Sequence, residues 1–66
     1  MDFGKNLQHL RIERGIFQKE LAAELHVSVE TLSNYEEGIS SPDMDMLCRI
    51  ADYFQVSADY LLGRDQ

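Results

Sequence analysis

The sequence is poor in the residues that build disulfide frameworks, zinc cages and long flexible segments. Its 66 residues include one cysteine, one proline, four glycines and no tryptophan. A single cysteine cannot close a disulfide within the chain and leaves no partner for a zinc site built from paired cysteines. With 44% hydrophobic residues, the composition is typical of one small ordered domain.

Long apolar runs are also missing, since none approaches the roughly 20 residues that span a bilayer. The N-terminus has no apolar segment typical of a signal peptide. We therefore expect a soluble protein in the cytoplasm. Cys48 lies beside, not on, the apolar stripe of Leu47, Ile50 and Ala51, and we expect it to be a small filler in the packed helices rather than a redox thiol.

Groups that carry catalysis or bind metal ions are equally sparse. No serine, histidine and aspartate fall at a spacing that indicates a catalytic set. His9 and His26 lack acidic partners at ligand spacing, and two histidines rarely hold a metal ion. We expect no enzyme, no metal site and no cofactor.

Basic side chains are few, with six Lys and Arg against twelve Asp and Glu and a formal net charge of −6. The imbalance is largest in residues 18–38, which hold one basic and five acidic side chains, and residues 39–66 hold two basic and five acidic ones. This balance argues against a protein held to a polyanion by bulk electrostatics.

The spacing of apolar residues indicates short helices and no strand. Two stripes recur at the three-to-four-residue spacing of a helix face: Phe3, Leu7 and Leu10, then Leu47, Ile50, Ala51 and Phe54. We predict five helices in a single domain spanning residues 1–66. The second helix is expected at about 18–25 and the third at about 28–37.

Glycines and short polar side chains mark the ends of these helices. Gly15 and Gly38 are predicted to end the first and third helices in the left-handed conformation. The side chains of Ser28, Asp43 and Ser57 are predicted to cap the third, fourth and fifth helices at their N-termini.

Residues 18–38, QKELAAELHVSVETLSNYEEG, have the layout of a helix-turn-helix. The small Ala22 lets the two helices pack closely. Their apolar seam is expected to consist of Leu21, Leu25, Val27 and Leu32. His26 and Gln55 stand where the second and fourth helices should end in a left-handed residue, so each is expected to carry mild strain.

A set of residues in family-typical order runs through all five predicted helices: Leu10, Arg11, Gln18, Leu21, Ala22, Val27, Ser28, Tyr35, Glu36, Gly38, Pro42, Leu47, Ala51, Phe54, Val56, Ser57, Tyr60 and Leu61. With these marks, residues 5–63 resemble the Cro and lambda-repressor type of helix-turn-helix proteins, also called the XRE type. The resemblance implies an all-α, compact five-helix bundle whose third helix enters the major groove of double-stranded DNA.

The same resemblance implies a sequence-specific DNA-binding domain of a prokaryotic or phage-type transcriptional regulator. It further implies a homodimer on a pseudo-palindromic site. Met44, Met46 and residues 60–62 either belong entirely to the core or leave apolar surface for such self-association.

Carried over position by position, the resemblance assigns base-edge contacts to Val29, Glu30 and Asn34. Asn34 would pair with adenine, Val29 would touch a thymine methyl group and Glu30 would accept from the cytosine amino group. Contacts to the DNA backbone would fall to six polar residues: Gln18, Lys19, Ser28, Ser33, Ser40 and Ser41. Arg11 and Glu36 would form a structural ion pair.

Two interpretations of the acidic segment remain open. Val29, Glu30 and Asn34 form either a reading face or an exposed helix face on which Glu30 only favours the helix dipole. The fold as a whole either binds DNA with a shallow salt dependence, or has weak or lost DNA binding and serves as an acidic protein-interaction module. Basic side chains on the face that holds Asn34 would favour DNA binding, whereas a face dominated by acidic side chains would favour the interaction module.

Overall fold

A computed structural model describes residues 2–64. The chain forms five helices: α1 (Phe3–Glu13), α2 (Gln18–Leu25), α3 (Val29–Glu37), α4 (Met44–Phe54) and α5 (Ala58–Leu61). No strand occurs among the described residues. The predicted all-α five-helix bundle is therefore confirmed. The third helix begins one residue later than predicted because Ser28 lies just outside it as its N-cap.

The predicted N-caps of three helices are present. A side-chain oxygen accepts the backbone N–H three residues further on, at 2.8–3.0 Å, in Ser28, Asp43 and Ser57. Asp2 caps α1 in the same way, with a distance of 3.0 Å to the backbone nitrogen of Lys5. Asp2 is a short acidic side chain just before a helix, as Asp43 is, but this cap was not predicted from the sequence.

Four predicted left-handed residues have positive φ angles: Gly15 at 70°, Gly38 at 79°, His26 at 60° and Gln55 at 58°. Glycine adopts this conformation without steric cost, whereas in other L-residues Cβ crowds the carbonyl oxygen. The ends of α2 and α4, at His26 and Gln55, are thus the strained ones.

An arginine stabilises each of these two strained helix ends. The Nη2 of Arg49 donates to the last carbonyl of α2, that of Leu25, at 3.0 Å. The Nη2 of Arg14 donates to the last carbonyl of α4, that of Phe54, at 2.8 Å, and its guanidinium lies 5.4 Å from the centre of the Phe54 ring. A cation at a helix C-terminus also interacts favourably with the helix dipole.

The core draws apolar side chains from all five helices. Its largest fully buried side chains are Phe54, Leu7, Leu21, Leu32, Ile50 and Leu61. In the predicted seam Leu21, Leu25 and Leu32 are buried and Val27 is partly buried, so α2 and α3 pack as expected.

The prediction for Cys48 is wrong, because its side chain is exposed. One residue after the buried Leu47 is a rotation of about 100° around a helix, which carries Cys48 off the inward stripe of α4. Met44 also lies outside the core, with 69% of its surface exposed, whereas Met46 packs against the core.

Close approach of α1 to α3 depends on Gly4. A Cβ atom at this position would lie 2.6 Å from the carbonyl oxygens of both Tyr35 and Glu36. Beside this contact the rings of Phe3 and Tyr35 meet edge to face, with centroids 6.4 Å apart. The first turn of α1 therefore fixes the last turn of α3.

Asn6 joins the same helix to the end of the chain. Its buried amide nitrogen Nδ2 donates to the carbonyls of Tyr60 and Leu61 at 3.2 and 3.1 Å. These carbonyls lie at the C-terminal end of α5, where that of Tyr60 also accepts from the backbone N–H of Gly63 at 3.1 Å. α1 thus holds both α3 and α5. None of the helices in residues 2–64 is long and apolar enough to cross a membrane.

Candidate nucleic-acid interface

The third helix turns one face to the core and leaves the other open. Leu32 and Glu36 are buried, whereas Glu30 and Glu37 are exposed and Val29 keeps 44% of its surface accessible. Ser33 and Asn34 are half-buried. The three residues assigned to base reading, Val29, Glu30 and Asn34, therefore lie on the accessible part of α3.

Glu36 and Arg11 form the ion pair that anchors α3. Arg11 Nε lies 2.7 Å from Glu36 Oε2 and Arg11 Nη2 lies 3.2 Å from Glu36 Oε1. The two side chains are 12% and 1% exposed. Arg11 Nη1 also donates to the carbonyl of Ile16 at 2.9 Å. The guanidinium thus links α1, the turn before α2, and α3.

Gln18, assigned to the DNA backbone, is the third member of this network. Its Nε2 donates to Glu36 Oε1 at 3.0 Å. Because an ionised carboxylate only accepts hydrogen bonds, this contact fixes which end of the amide faces Glu36. The second Nε2 hydrogen and the Oε1 of Gln18 are not used in this contact. The sequence interpretation did not find this contact, which depends on how α2 crosses α3.

The start of α2 presents backbone donors beside this network. Phe17 is the N-cap and has no side-chain acceptor, but its own N–H donates to Glu20 Oε1 at 2.8 Å. Among the described residues, the N–H groups of Gln18 and Lys19 have no hydrogen-bond partner. Unpaired N–H groups at a helix N-terminus favour an anion such as a phosphate.

Two assigned hydroxyl groups are engaged within the protein. Ser28 caps α3, and its Oγ lies 2.9 Å from Thr31 Oγ1. Ser33 Oγ donates to Glu37 Oε2 at 2.8 Å, a contact between residues four apart on the helix. Ser40 and Ser41 are exposed in the segment that follows α3.

Three of the six basic side chains are engaged within the protein. Arg11 is bound to Glu36, while Arg14 and Arg49 donate to the carbonyls that end α4 and α2. Lys19 is exposed at the start of α2. The exposed charged side chains on α3 itself are Glu30 and Glu37. α3 itself therefore offers no cation to phosphate, and contacts to base edges gain importance along this helix.

Comparison with known proteins decides the family. A sequence profile described as "Helix-turn-helix" matches residues 7–61. The chain belongs to this helix-turn-helix family. The profile begins within α1 and ends at the last residue of α5, so it covers the whole bundle around the candidate interface.

Two solved structures share the fold of this helix-turn-helix protein. A transcriptional regulator from Listeria innocua is 37% identical, with a TM-score of 0.91 over 98% of this chain and 61% of that one. The P22 c2 repressor, crystallised in complex with a synthetic operator, is 28% identical, with a TM-score of 0.90 over 98% of both chains. The fold is therefore lambda-repressor-like.

Two relatives of this helix-turn-helix protein are named as transcriptional regulators. The chain is 42% identical to the regulator ImmR of Bacillus subtilis over 66 residues and covers 52% of that protein. It is 36% identical to the activator BcrR of Enterococcus faecalis over 66 residues and covers 32% of it. The chain thus spans about half or less of the length of these relatives. Their names describe regulators rather than enzymes.

Proposed function

We propose that this helix-turn-helix protein is the sequence-specific DNA-binding domain of a transcriptional regulator that acts in the cytoplasm. One observation carries the proposal: α3 buries Leu32 and Glu36 against the bundle, while Val29 and Glu30 are exposed and Asn34 is half-buried. An α-helix of this kind fits the major groove of B-form DNA, where base edges are exposed. The likeness to a repressor crystallised with its operator supports the same assignment.

Base contacts are assigned to the accessible residues of α3 by the chemistry of their side chains. The amide of Asn34 pairs with adenine through one donor and one acceptor. Val29 contacts the methyl group of thymine. Glu30 accepts from an amino group. All three act without a cofactor.

Backbone contacts are assigned to the groups that surround α3. The unpaired N–H groups that open α2 favour a phosphate, together with the free Nε2 hydrogen of Gln18 and the ammonium of Lys19. Further hydroxyl donors to the backbone are Ser28, Ser33, Ser40 and Ser41. To donate to a phosphate, Ser28 has to release Thr31 Oγ1 and Ser33 has to release Glu37 Oε2.

The protein acts as a homodimer on a pseudo-palindromic site. One α3 reads only a few base pairs, and a two-fold symmetric pair of helices about one helical turn apart doubles the sequence that is read. Exposed apolar side chains available for such pairing include Ile39, Met44 and Tyr60, at 69%, 69% and 36% exposure.

Selection from a pool of random double-stranded DNA tests this function, at low and at moderate salt, with sequencing of the retained duplexes. We expect enrichment of an inverted repeat whose half-sites lie about 10 base pairs apart. A variant with Val29, Glu30 and Asn34 all changed to alanine provides the control and should enrich no sequence. If the wild-type protein also enriches none at low salt, the proposal is wrong and a protein partner becomes the better interpretation of this acidic surface.

A further inference from the structure

Phe17 carries an aromatic ring that the bundle leaves in solvent. Of the three phenylalanines, Phe54 is buried in the core, Phe3 packs against the core and the ring of Tyr35, and Phe17 is 68% exposed. An aromatic ring stabilises a fold by burying apolar area, so the ring of Phe17 contributes little. A single exposed apolar residue is common and indicates no function by itself.

Phe17 is also the N-cap of α2, where its side chain cannot accept a hydrogen bond. The caps of the other four helices are Asp2, Ser28, Asp43 and Ser57, and each accepts a backbone N–H. Phe17 has the same extended backbone, with φ −80° and ψ 158°, but no side-chain acceptor. A cap without an acceptor lowers helix stability. Phenylalanine therefore costs the isolated domain a cap with little packing in return, and such a breach of local rules is expected at functional positions.

The backbone that carries this ring is held on both sides. The carbonyl of Ile16 accepts from Arg11 Nη1 at 2.9 Å, and the N–H of Phe17 donates to Glu20 Oε1 at 2.8 Å. The Phe17 carbonyl accepts from the N–H groups of Glu20 and Leu21 at 3.0 and 3.2 Å. An aromatic side chain on a fixed backbone has only two torsions to order, so a contact to its ring costs little conformational entropy.

The neighbours of Phe17 place it at the edge of the proposed interface. Gln18, the next residue, donates to Glu36 of α3 at 3.0 Å, so the start of α2 lies beside α3. A helix with its side chains is about 10–12 Å wide and the major groove is about 12 Å wide, so elements packed beside a bound helix meet the sugar–phosphate backbone. An N-cap side chain lies next to the N–H groups of the first helical turn. When those groups bind a phosphate, the apolar surface nearest to the Phe17 ring is the adjoining deoxyribose.

We infer that Phe17 packs its ring on a deoxyribose of the DNA backbone, next to the phosphate that the start of α2 binds. This inference rests on the proposed DNA-binding function. Every nucleotide carries the same sugar, so the contact adds affinity for all sequences and selects none. It neutralises no phosphate and releases no counterion, so added salt does not weaken it as it weakens an ionic contact. Phe17 thus supplies affinity that α3, which has no cation, does not provide.

Binding of Phe17 variants to the selected operator over a range of salt concentrations tests this contact. Phe17→Ala should bind about three- to tenfold more weakly at every salt concentration, as expected for partial burial of one aromatic side chain. The slope of log affinity against log salt should stay the same. Phe17→Leu, which also lacks a capping acceptor but keeps an apolar side chain, should retain most of the affinity. The Tm of Phe17→Ala should stay near that of wild type, because the ring is exposed.

Hydroxyl-radical cleavage of the operator locates the contact, because the radical attacks deoxyribose hydrogens that a packed ring shields. Wild-type protein should protect sugars in each half-site that Phe17→Ala leaves open. Ile12→Ala is the matched control, since it removes another apolar side chain, 61% exposed, from the last turn of α1. It should bind and protect the operator as wild type does.

The outcomes separate this inference from the proposed function. If wild-type protein selects an operator but Phe17→Ala binds it as tightly and protects the same sugars, the inference is wrong and the proposed function stands. A shallower salt slope for Phe17→Ala would also overturn it, because the ring would then support a phosphate contact. Equal losses for Ile12→Ala and Phe17→Ala would show that exposed apolar area rather than position matters. If wild-type protein selects no operator, both fail.

Discussion

The backbone of α1 at Gly4 lies directly against the last turn of α3 at Glu36. A Cβ atom at position 4 would stand 2.6 Å from the Glu36 carbonyl oxygen, closer than packed atoms allow. The buried carboxylate of that same residue binds Arg11, so backbone and side chain of Glu36 both join α3 to α1. The position of the proposed reading helix thus depends on a residue outside the helix-turn-helix.

Gly4→Ala should destabilise the protein by about 1–3 kcal/mol, because the added methyl group forces α1 away from α3. Alanine favours a helix over glycine, so a loss of stability cannot come from helix propensity. Urea unfolding measures the change. Gln8→Ala, on the exposed face of α1, is the control and should change stability by less than about 0.5 kcal/mol. Equal stability of Gly4→Ala and wild type would contradict the tight helix contact.

His26→Gly and Gln55→Gly should each stabilise the protein by about 0.5–1 kcal/mol. Left-handed backbone costs an ordinary residue about 1–2 kcal/mol, and the greater freedom of glycine in the unfolded chain offsets part of the gain. Differential scanning calorimetry checks the result as an increase in Tm. Gln8→Gly, in the middle of α1, should instead lower stability by about 1 kcal/mol. A lower Tm for both C-terminal variants would argue against strain at these ends.

The fold was predictable because it depends on patterns that are local in sequence. Apolar spacing locates the helices, and Ser28, Asp43 and Ser57 cap them through residues three positions away. The arginine contacts were not predictable in this way. Arg14 and Arg49 reach carbonyls 40 and 24 residues distant, so only the assembled bundle reveals them.

The candidate site was predictable in part for the same reason. Accessibility of Val29 and Glu30 follows from helical periodicity once Leu32 and Glu36 face the core. The contact between Ser33 and Glu37 has the helical i, i+4 spacing and was within reach of the sequence. The hydrogen bond from Gln18 to Glu36 joins two helices, so it could not be predicted from local spacing. Cys48 shows the limit of helical periodicity, since it directly follows the buried Leu47 in α4 and yet its side chain is exposed.

Arg11→Met should cost about 3–5 kcal/mol, because it leaves the carboxylate of Glu36 buried at 1% exposure without its cation. The double variant Arg11→Met, Glu36→Leu should be more stable than Arg11→Met alone, since it removes the unpaired charge as well. Urea unfolding of the two single variants, the double variant and wild type gives the interaction free energy. Additive effects would mean that the ion pair does not couple α1 to α3.

Asn34→Ala should relax the base preference at one position of each half-site and leave the other positions as they are. In the proposed complex the amide supplies both hydrogen bonds to adenine, so discrimination there should fall by about 1–3 kcal/mol. Selection from random DNA measures the preference at every position. Gln8→Ala, with an altered side chain outside the helix-turn-helix, should reproduce the wild-type sequence. An unchanged preference for Asn34→Ala would remove Asn34 from the reading set.

Glu37→Lys should tighten binding to all DNA sequences alike and make affinity more sensitive to salt. The carboxylate of Glu37 holds the hydroxyl of Ser33, one of the proposed phosphate donors. Replacing it with an ammonium frees that hydroxyl and, with one more phosphate neutralised, adds about 0.9 to the slope of log affinity against log salt. Asp52→Lys makes the same charge change on the exposed face of α4 and should raise affinity less, with little change in slope. Equal effects of the two variants would show that only net charge matters and that Glu37 lies away from the DNA backbone.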